Sequence, residues 1–422
     1  MANALGRTFA SLKVRNYRLF FSGQVVSWTG TWVQWVAQGW LVLRLTDSGF
    51  GLGIVTALQW LPVLVFGAWA GVLADRFDKR RLLLFTNGTS AVLSLTLGIA
   101  TITEVVTLTW VIVIALLLGV VTAIDNPTRQ TFTYEMVGRE RLPNAVSLNT
   151  ATFTTARVMG PAIAAFLIAA VGIGECFLVN AVSFIPITVA LVRMDATELR
   201  PTGRGAQKRG QVREGLRYAA LVPMLRALLI LMAIIGTLQY NFQVILPLLA
   251  KETFDGTATT FGILGAVLGA GMFTGSIVSA AFGKAGRRYL LGAGFSLGTL
   301  SLLVASAPNV WIAGMLMIPL GMASMTFLAT VNATLQLNSS DAMRGRVMAI
   351  YFVLFLGSTP IGAPIIGWLA ESFSPRVALA FGGLATLGAC SYGYVRIPPH
   401  REHPQDEIDG DPTLTSSETV PR

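Results

Sequence analysis

The sequence predicts an all-α membrane protein of twelve transmembrane helices, arranged as two pseudo-symmetric six-helix halves with both termini cytoplasmic. Three observations carry this reading. Hydrophobic residues make up 53% of the 422 and charged residues only 12%, about half the roughly 25% charged share of an ordinary soluble domain. A soluble chain of this length has no core large enough to hide so much apolar side chain, and the mean hydropathy of +0.64 agrees. The basic residues fall almost entirely on one side of the apolar runs, and segments of the first half of the chain recur in the second.

Twelve apolar runs lie at about 17–43, 49–73, 81–103, 108–134, 143–171, 175–193, 224–250, 258–283, 287–306, 309–338, 343–371 and 375–395. Each approaches or exceeds the roughly 20 residues that cross about 30 Å of hydrocarbon. The run after the basic stretch Met1 to Arg18 is too long for a cleaved signal and is followed by no small-residue cleavage pattern, so the first span is expected to act as its own signal. With the N-terminus inside, all but four of the 31 Lys and Arg fall on the cytoplasmic side. Arg44, Lys251 and Arg376 fall outside, and Arg157 lies within a span. This is the positive-inside pattern of a multi-pass cell-membrane protein. The net charge of +10 is therefore loop charge beside a lipid bilayer, and no nucleic-acid partner is expected.

Repeats set the domain plan. Gly30-Thr31 matches Gly236-Thr237, Gly53-Ile54 matches Gly262-Ile263, and Gly160 through Leu167 matches Gly362 through Leu369, at nearly equal separations. The expected units are residues 1–193, a 194–223 cytoplasmic linker rich in Arg, Lys and Gly, residues 224–397, and a polar 398–422 tail expected to be disordered. Parallel repeats of this kind place a binding site near the bilayer midplane between them.

The hinge between spans 2 and 3 reads Gly71-Val72-Leu73-Ala74-Asp75-Arg76-Phe77-Asp78-Lys79-Arg80-Arg81. In that position it resembles the characteristic loop of the major facilitator superfamily. Asn16-Tyr17-Arg18, Ser27 with Gly30-Thr31-Trp32, Leu45-Thr46-Asp47-Ser48, Asp125-Asn126-Pro127 with Arg129-Gln130, and Ala156-Arg157 with Gly160-Pro161 are similar to its drug- and siderophore-exporter branch, the enterobactin-exporter-like one. The resemblance spans residues 10–395. It implies that Asp75 docks at the inner end of span 11, beside Arg344 and Arg346, and locks the halves outward-open; Gly71, Arg76, Lys79, Arg80 and Arg81 complete this gating loop. An anion at a helix N-terminus is favoured by about 0.3–1 kcal/mol when exposed. In the second copy, Phe282 to Arg288, Lys284 aligns with Asp75, so the latch anion exists on one half only. The helix turn at Gly160-Pro161 keeps the first part of the antiporters' Gly-Pro-x-x-Gly-Gly pattern and has Ala164-Ala165 in place of its last two glycines.

Charges within spans are costly, about 2.5–3.5 kcal/mol each at the helix centre even on insertion scales. Arg157 in span 5 and Asp125 in span 4 fall at comparable depth, and Arg129 lies four residues from Asp125 on the same helix face. Two readings stand side by side: Asp125 carries a proton under the control of Arg157, or these residues form a static buried ion pair. A third group of residues is polar but uncharged. Gln24, Ser27, Thr31, Gln34 and Gln38 form a stripe on span 1, flanked by Trp28, Trp32 and Trp35, and span 7 offers Thr237, Tyr240, Asn241 and Gln243. Hydrogen-bonding groups among aromatic faces suit an amphiphilic ligand, although the same residue types also tie helices together. The family resemblance implies that spans 1, 4, 7 and 10 line a central cavity, which adds Thr330 and Thr334. Glycines 262, 265, 269, 271 and 275 of span 8 are read as helix-packing positions.

No phosphate-binding G-x-x-x-x-G-K-[ST] pattern and no Ser/His/Asp constellation is present. The two histidines, His400 and His403, are both in the tail, which leaves none for a metal site within the spans. The two cysteines, Cys176 and Cys390, fall near opposite faces and are expected to be unpaired buried thiols. The expectation is a monomeric, cofactor-free secondary transporter, not an enzyme: a proton-driven exporter of a drug, secreted metabolite or siderophore. The alternatives are an uptake symporter or lipid transporter of the same fold, or a non-transporting sensor or assembly protein.

Overall fold

The structure, a computed structural model, describes residues 9–200, 211–282 and 286–397. The side chain of Asp75, Lys284 and the 398–422 tail lie outside the described residues. The described residues are mostly helical: α1 (Arg15–Thr46), α2 (Gly49–Arg76), α3 (Lys79–Ile102), α4 (Leu108–Ala170), α5 (Ile173–Arg193), α6 (Gln211–Leu221), α7 (Pro223–Leu238), α8 (Phe242–Leu248), α9 (Ala258–Phe282), α10 (Arg287–Ala305), α11 (Val310–Leu337), α12 (Asp341–Leu356), α13 (Thr359–Ser372) and α14 (Pro375–Arg396). We refer to the helices up to Arg193 as the first half and those from Pro223 as the second.

Local chemistry sets the boundaries. The Ser48 side chain caps α2 by accepting from the Gly51 amide, and Asp78 caps α3 by accepting from the Arg81 amide at 2.8 Å. The 63 residues of α4 would stretch about 95 Å as one straight rod. Gly138, at φ 71° and ψ 177°, breaks it, and Asn149 Nδ2 donates to Thr133 Oγ1 across the bend, so 108–137 and 139–170 run back alongside each other. Predicted spans 7 and 11 are each interrupted. At Gln239–Asn241 the Asn241 side chain donates back to the Thr237 carbonyl, a local alternative to helix continuation. At Gly357–Ser358 the chain stops before Pro360, which sits in the first turn of α13.

Among the described residues, ten helical segments are long and apolar enough to cross a membrane, with the whole of α4 counted as one and α1 not among them. Helix α1 falls short because glutamines, serines, threonines and tryptophans are interspersed through its charge-free stretch, residues 19–43. The outer surface is apolar: Trp69 is 77% and Trp311 75% exposed. In water such a surface would be an aggregation hazard; in lipid it is the solvated face, while helical hydrogen bonding satisfies the backbone. Inside, α1 packs on α5 and on α4, α3 on α5, α10 on α14, and α9 on α11. Cys176 and Cys390 are buried, free thiols.

Candidate functional site

Two helix pairs cross between the halves: α2 against α13, and α4 against α9. Both are built on glycines. A Cβ at Gly53 would lie 2.5 Å from the Ala363 carbonyl oxygen, and one at Gly367 would lie 2.3 Å from that of Gly49. On the pseudo-symmetric side, a Cβ at Gly262 would meet Ala165 Cβ at 2.1 Å, and Gly265 and Gly269 abut Pro161 and Val158. No larger side chain fits without moving a backbone. Gly271 and Gly275 instead face Ile318 and Met322 of α11, within the second half. Gly160 seats Trp32 of α1, whose Cβ would be 2.3 Å from a Cβ placed there.

Polar contacts reinforce this seam at the end of the bundle that carries Ser48 and Phe373. Glu371, at the end of α13, accepts from Ser48 Oγ at 2.5 Å and from the Phe50 amide at 2.8 Å, which puts an anion at the N-terminus of α2. Lys251 donates to the Leu43 carbonyl at 3.0 Å and pairs with Asp47, which puts a cation at the C-terminus of α1. Both contacts join one half to the other.

At the opposite, basic end, Lys79 and Glu135 form an ion pair at 2.9 Å with both side chains about nine-tenths buried. Arg80 donates to the last carbonyls of α5, those of Leu191 and Val192, at 2.6 and 2.7 Å. These bonds stay within the first half. The gating-loop residues Arg76 and Arg81 are exposed, and Gly71, Gly67 and Gly345 would each carry a Cβ with nothing within 4 Å.

The structure pairs Asp125 with Arg129 rather than with Arg157. Arg129 Nε donates to one Asp125 oxygen, Thr86 Oγ1 donates to the other at 2.7 Å, and Arg129 Nη2 donates to Asn87 Oδ1 at 2.8 Å. The reason is geometric: Arg129 is one turn along the same helix, whereas Arg157 turns toward α1 and sits 5.6 Å over the Trp32 ring. Sequence reasoning missed Asn87 and Thr86, which complete this cluster, and Glu135, which lies just past the predicted end of span 4.

The stripe on α1 divides. Gln34 accepts from Asn180 Nδ2 of α5 at 2.7 Å, and a Cβ at Gly30 would collide with Asn180 and Ser183, so Ser27 and Gln34 share the face turned to α5. Gln38 donates to Gln59 of α2 at 3.0 Å. Gln24 and Gln38 each keep a buried side-chain oxygen without a partner. Thr31 and Trp35 are half-buried, and Trp32, Trp35, Trp60 and Phe153 form a connected aromatic cluster with ring centroids 4.7–5.8 Å apart. From the second half, Thr237 and Tyr240 are half-buried, with the Tyr240 hydroxyl donating to the Ser324 carbonyl at 2.8 Å. Asn241, Thr330 and Thr334 are buried, and the two threonines bond to their own helix. The signal that separates the two faces of α1 was present in the sequence: Gly23 and Gly30 mark the side where another helix backbone approaches.

Comparison with known proteins agrees with this architecture. The chain matches the family described as transmembrane secretion effector over residues 6–414. It is 25% identical over 375 residues to the staphyloferrin A transporter of Staphylococcus aureus, covering 88% of this chain and 93% of that one. It is 23% identical over 373 residues to the enterobactin exporter EntS of Shigella boydii, covering 88% and 89%, and 24% identical over 285 residues to macrolide efflux protein A of Streptococcus pyogenes, covering 66% and 70%. Among solved structures, the nucleoside transporter NupG superposes with a TM-score of 0.71 at 12% identity, covering 90% of this chain and 100% of that one. A bacterial homolog of the lysosomal transporter Spinster, in an inward-facing conformation, superposes with a TM-score of 0.66 at 14% identity, covering 90% and 95%. The chain belongs to the transmembrane secretion effector family of the major facilitator superfamily, whose members are membrane transporters and not enzymes.

Proposed function

We propose that this protein is a proton-driven exporter of small amphiphilic molecules that works by alternating access. The observation that carries the reading is the seam. Pseudo-symmetric helix pairs close it with glycine contacts at one end, while Gly67, Gly71 and Gly345, nearer the other end of spans 2 and 11, face open space. In this reading the chain crosses the cell membrane twelve times, α1 and the two arms of α4 each counting as a span, with both termini cytoplasmic. The basic end is then the cytoplasmic end, and the structure corresponds to the outward-closed state.

The units 1–193 and 224–397 rock against each other about the 194–223 linker. Its helix α6 is tied to the foot of α12 by the Glu214–Arg346 ion pair at 2.8 Å. Asp75 takes over as the cytoplasmic latch when the outer seam opens. Asp125 is the coupling group, and its contact with Arg129 breaks and re-forms during the cycle. Thr31, Trp35, Thr237 and Tyr240 line the path. A monomer suffices, since each half supplies one wall. The staphyloferrin A, enterobactin and macrolide transporters among the relatives support an exported metabolite, siderophore or drug.

One charge crossing about 150 mV supplies roughly 3.5 kcal/mol, enough to drive accumulation several-hundred-fold. The test is compound accumulation in cells expressing the protein, with and without an uncoupler. Wild type is expected to lower accumulation only while the gradient stands, and Asp125→Asn to abolish that effect at equal expression. Uncoupler-insensitive efflux, or full efflux by Asp125→Asn, would remove the proton-coupled reading.

A further inference from the structure

We infer that the transported molecule carries an anionic group, a carboxylate or a group of like charge, and that Arg157 receives it. This deepens the export reading and rests on it.

The argument is a charge balance at the seam. The Asp125 carboxylate is engaged by Arg129 and Thr86, and the Glu135 carboxylate by Lys79. Arg157, by contrast, has no hydrogen-bond acceptor and no carboxylate partner among the described residues; its contact is the Trp32 ring at 5.6 Å. Arg157 is half-buried, and its nitrogens are not among the fully buried atoms that lack partners, so the guanidinium is not completely sealed in protein.

Arg157 stands beside the seam between the halves. The Arg157 carbonyl and the neighbouring Val158 abut Gly269 of α9. Trp32 belongs to the aromatic cluster with Trp35, Trp60 and Phe153. Desolvating a cation at this depth is costly unless an opposite charge arrives. An aromatic face offsets part of that cost, and a planar guanidinium is suited to a two-oxygen acceptor. The aromatic rings then take the apolar body of the same ligand. A ligand bearing a protonated amine would meet this fixed cation and be rejected.

The test is equilibrium dialysis of the purified full chain in nanodiscs, with empty nanodiscs as the blank. The two probes share one apolar body: 2-naphthoate and 2-naphthylmethylammonium. Wild type is expected to bind the carboxylate at least tenfold more tightly than the ammonium. Arg157→Gln should lose that preference, and Arg157→Lys, which keeps the charge, should retain most of it. Equal affinities in wild type, tighter ammonium binding, no saturable binding of either probe, or a preference that survives in Arg157→Gln would each overturn the assignment. If Arg157→Gln is not monodisperse, the wild-type preference and the Arg157→Lys result still decide. The experiment reads binding alone, so its failure is distinct from loss of uncoupler-sensitive efflux, which would count against export itself.

Discussion

The two ends of the bundle hold their charges in different ways. At the basic end, Lys79–Glu135 is buried and joins two helices of one half. At the other end, Glu371 with Ser48 and Lys251 with Asp47 join one half to the other through carboxylates that are exposed. Exposed pairs are worth about 0–1 kcal/mol, whereas removing one partner of a buried pair costs roughly 3–5 kcal/mol. In the proposed cycle, the contacts within a half, which survive it, are thus the strong ones, and the contacts between halves, which break, are the weak ones. The glycine seam follows the same division, since close packing without interlocking side chains can separate cleanly.

The largest expected effect comes from splitting the buried pair. Lys79→Ala should lower thermal stability by up to about 3–5 kcal/mol, because it removes the buried cation held 2.9 Å from the Glu135 carboxylate. The double variant Lys79→Met/Glu135→Leu should regain most of the loss in a detergent melting series. If the single variant melts like wild type, the pair is not structural. Next is the seam. Gly262→Leu puts side chain where Ala165 already lies, and overpacking of this kind costs about 1–3 kcal/mol. Here that cost falls on one state of the cycle, so efflux should fall at least tenfold while the protein still inserts and melts cooperatively. Gly71→Ala, with open space beside it, should transport nearly as wild type. Equal losses in both variants would remove the contrast between the ends. The smallest effects belong to the exposed latches. Glu371→Gln or Lys251→Ala should change stability by less than about 1 kcal/mol, read in the same detergent melting series.

Much of the fold was legible in the sequence because membrane spans are set by length and hydropathy, which are local properties. Asp78, Ser48 and Gly138 sit at helix boundaries for reasons that a few neighbouring residues declare. The pairing of polar groups was less legible because it depends on which faces meet. Gln34 reads as a cavity residue until Asn180, far along the chain, is seen to hold it. Asp125 chose Arg129 over Arg157 because one helical turn fixes a partner more firmly than an estimated depth in the membrane does. Lys79 belonged to a recognisable loop, yet its partner Glu135 lay just outside the predicted span and carried no motif of its own. The five glycines of span 8 were identifiable as packing positions, but their division between α4 and α11 required the structure.

Alternating access of the two ends can be read most directly from paired spin-label distances in liposomes. One pair sits at the basic end, at Phe77 and Gly345, and one at the opposite end, at Phe50 and Phe373, all exposed positions. As the pH is stepped from 7.5 to 5, the account predicts that the Phe77–Gly345 distance shortens while the Phe50–Phe373 distance lengthens, and that Gly262→Leu blocks both changes. Distances that stay fixed, or that move in the same direction at both ends, would contradict it.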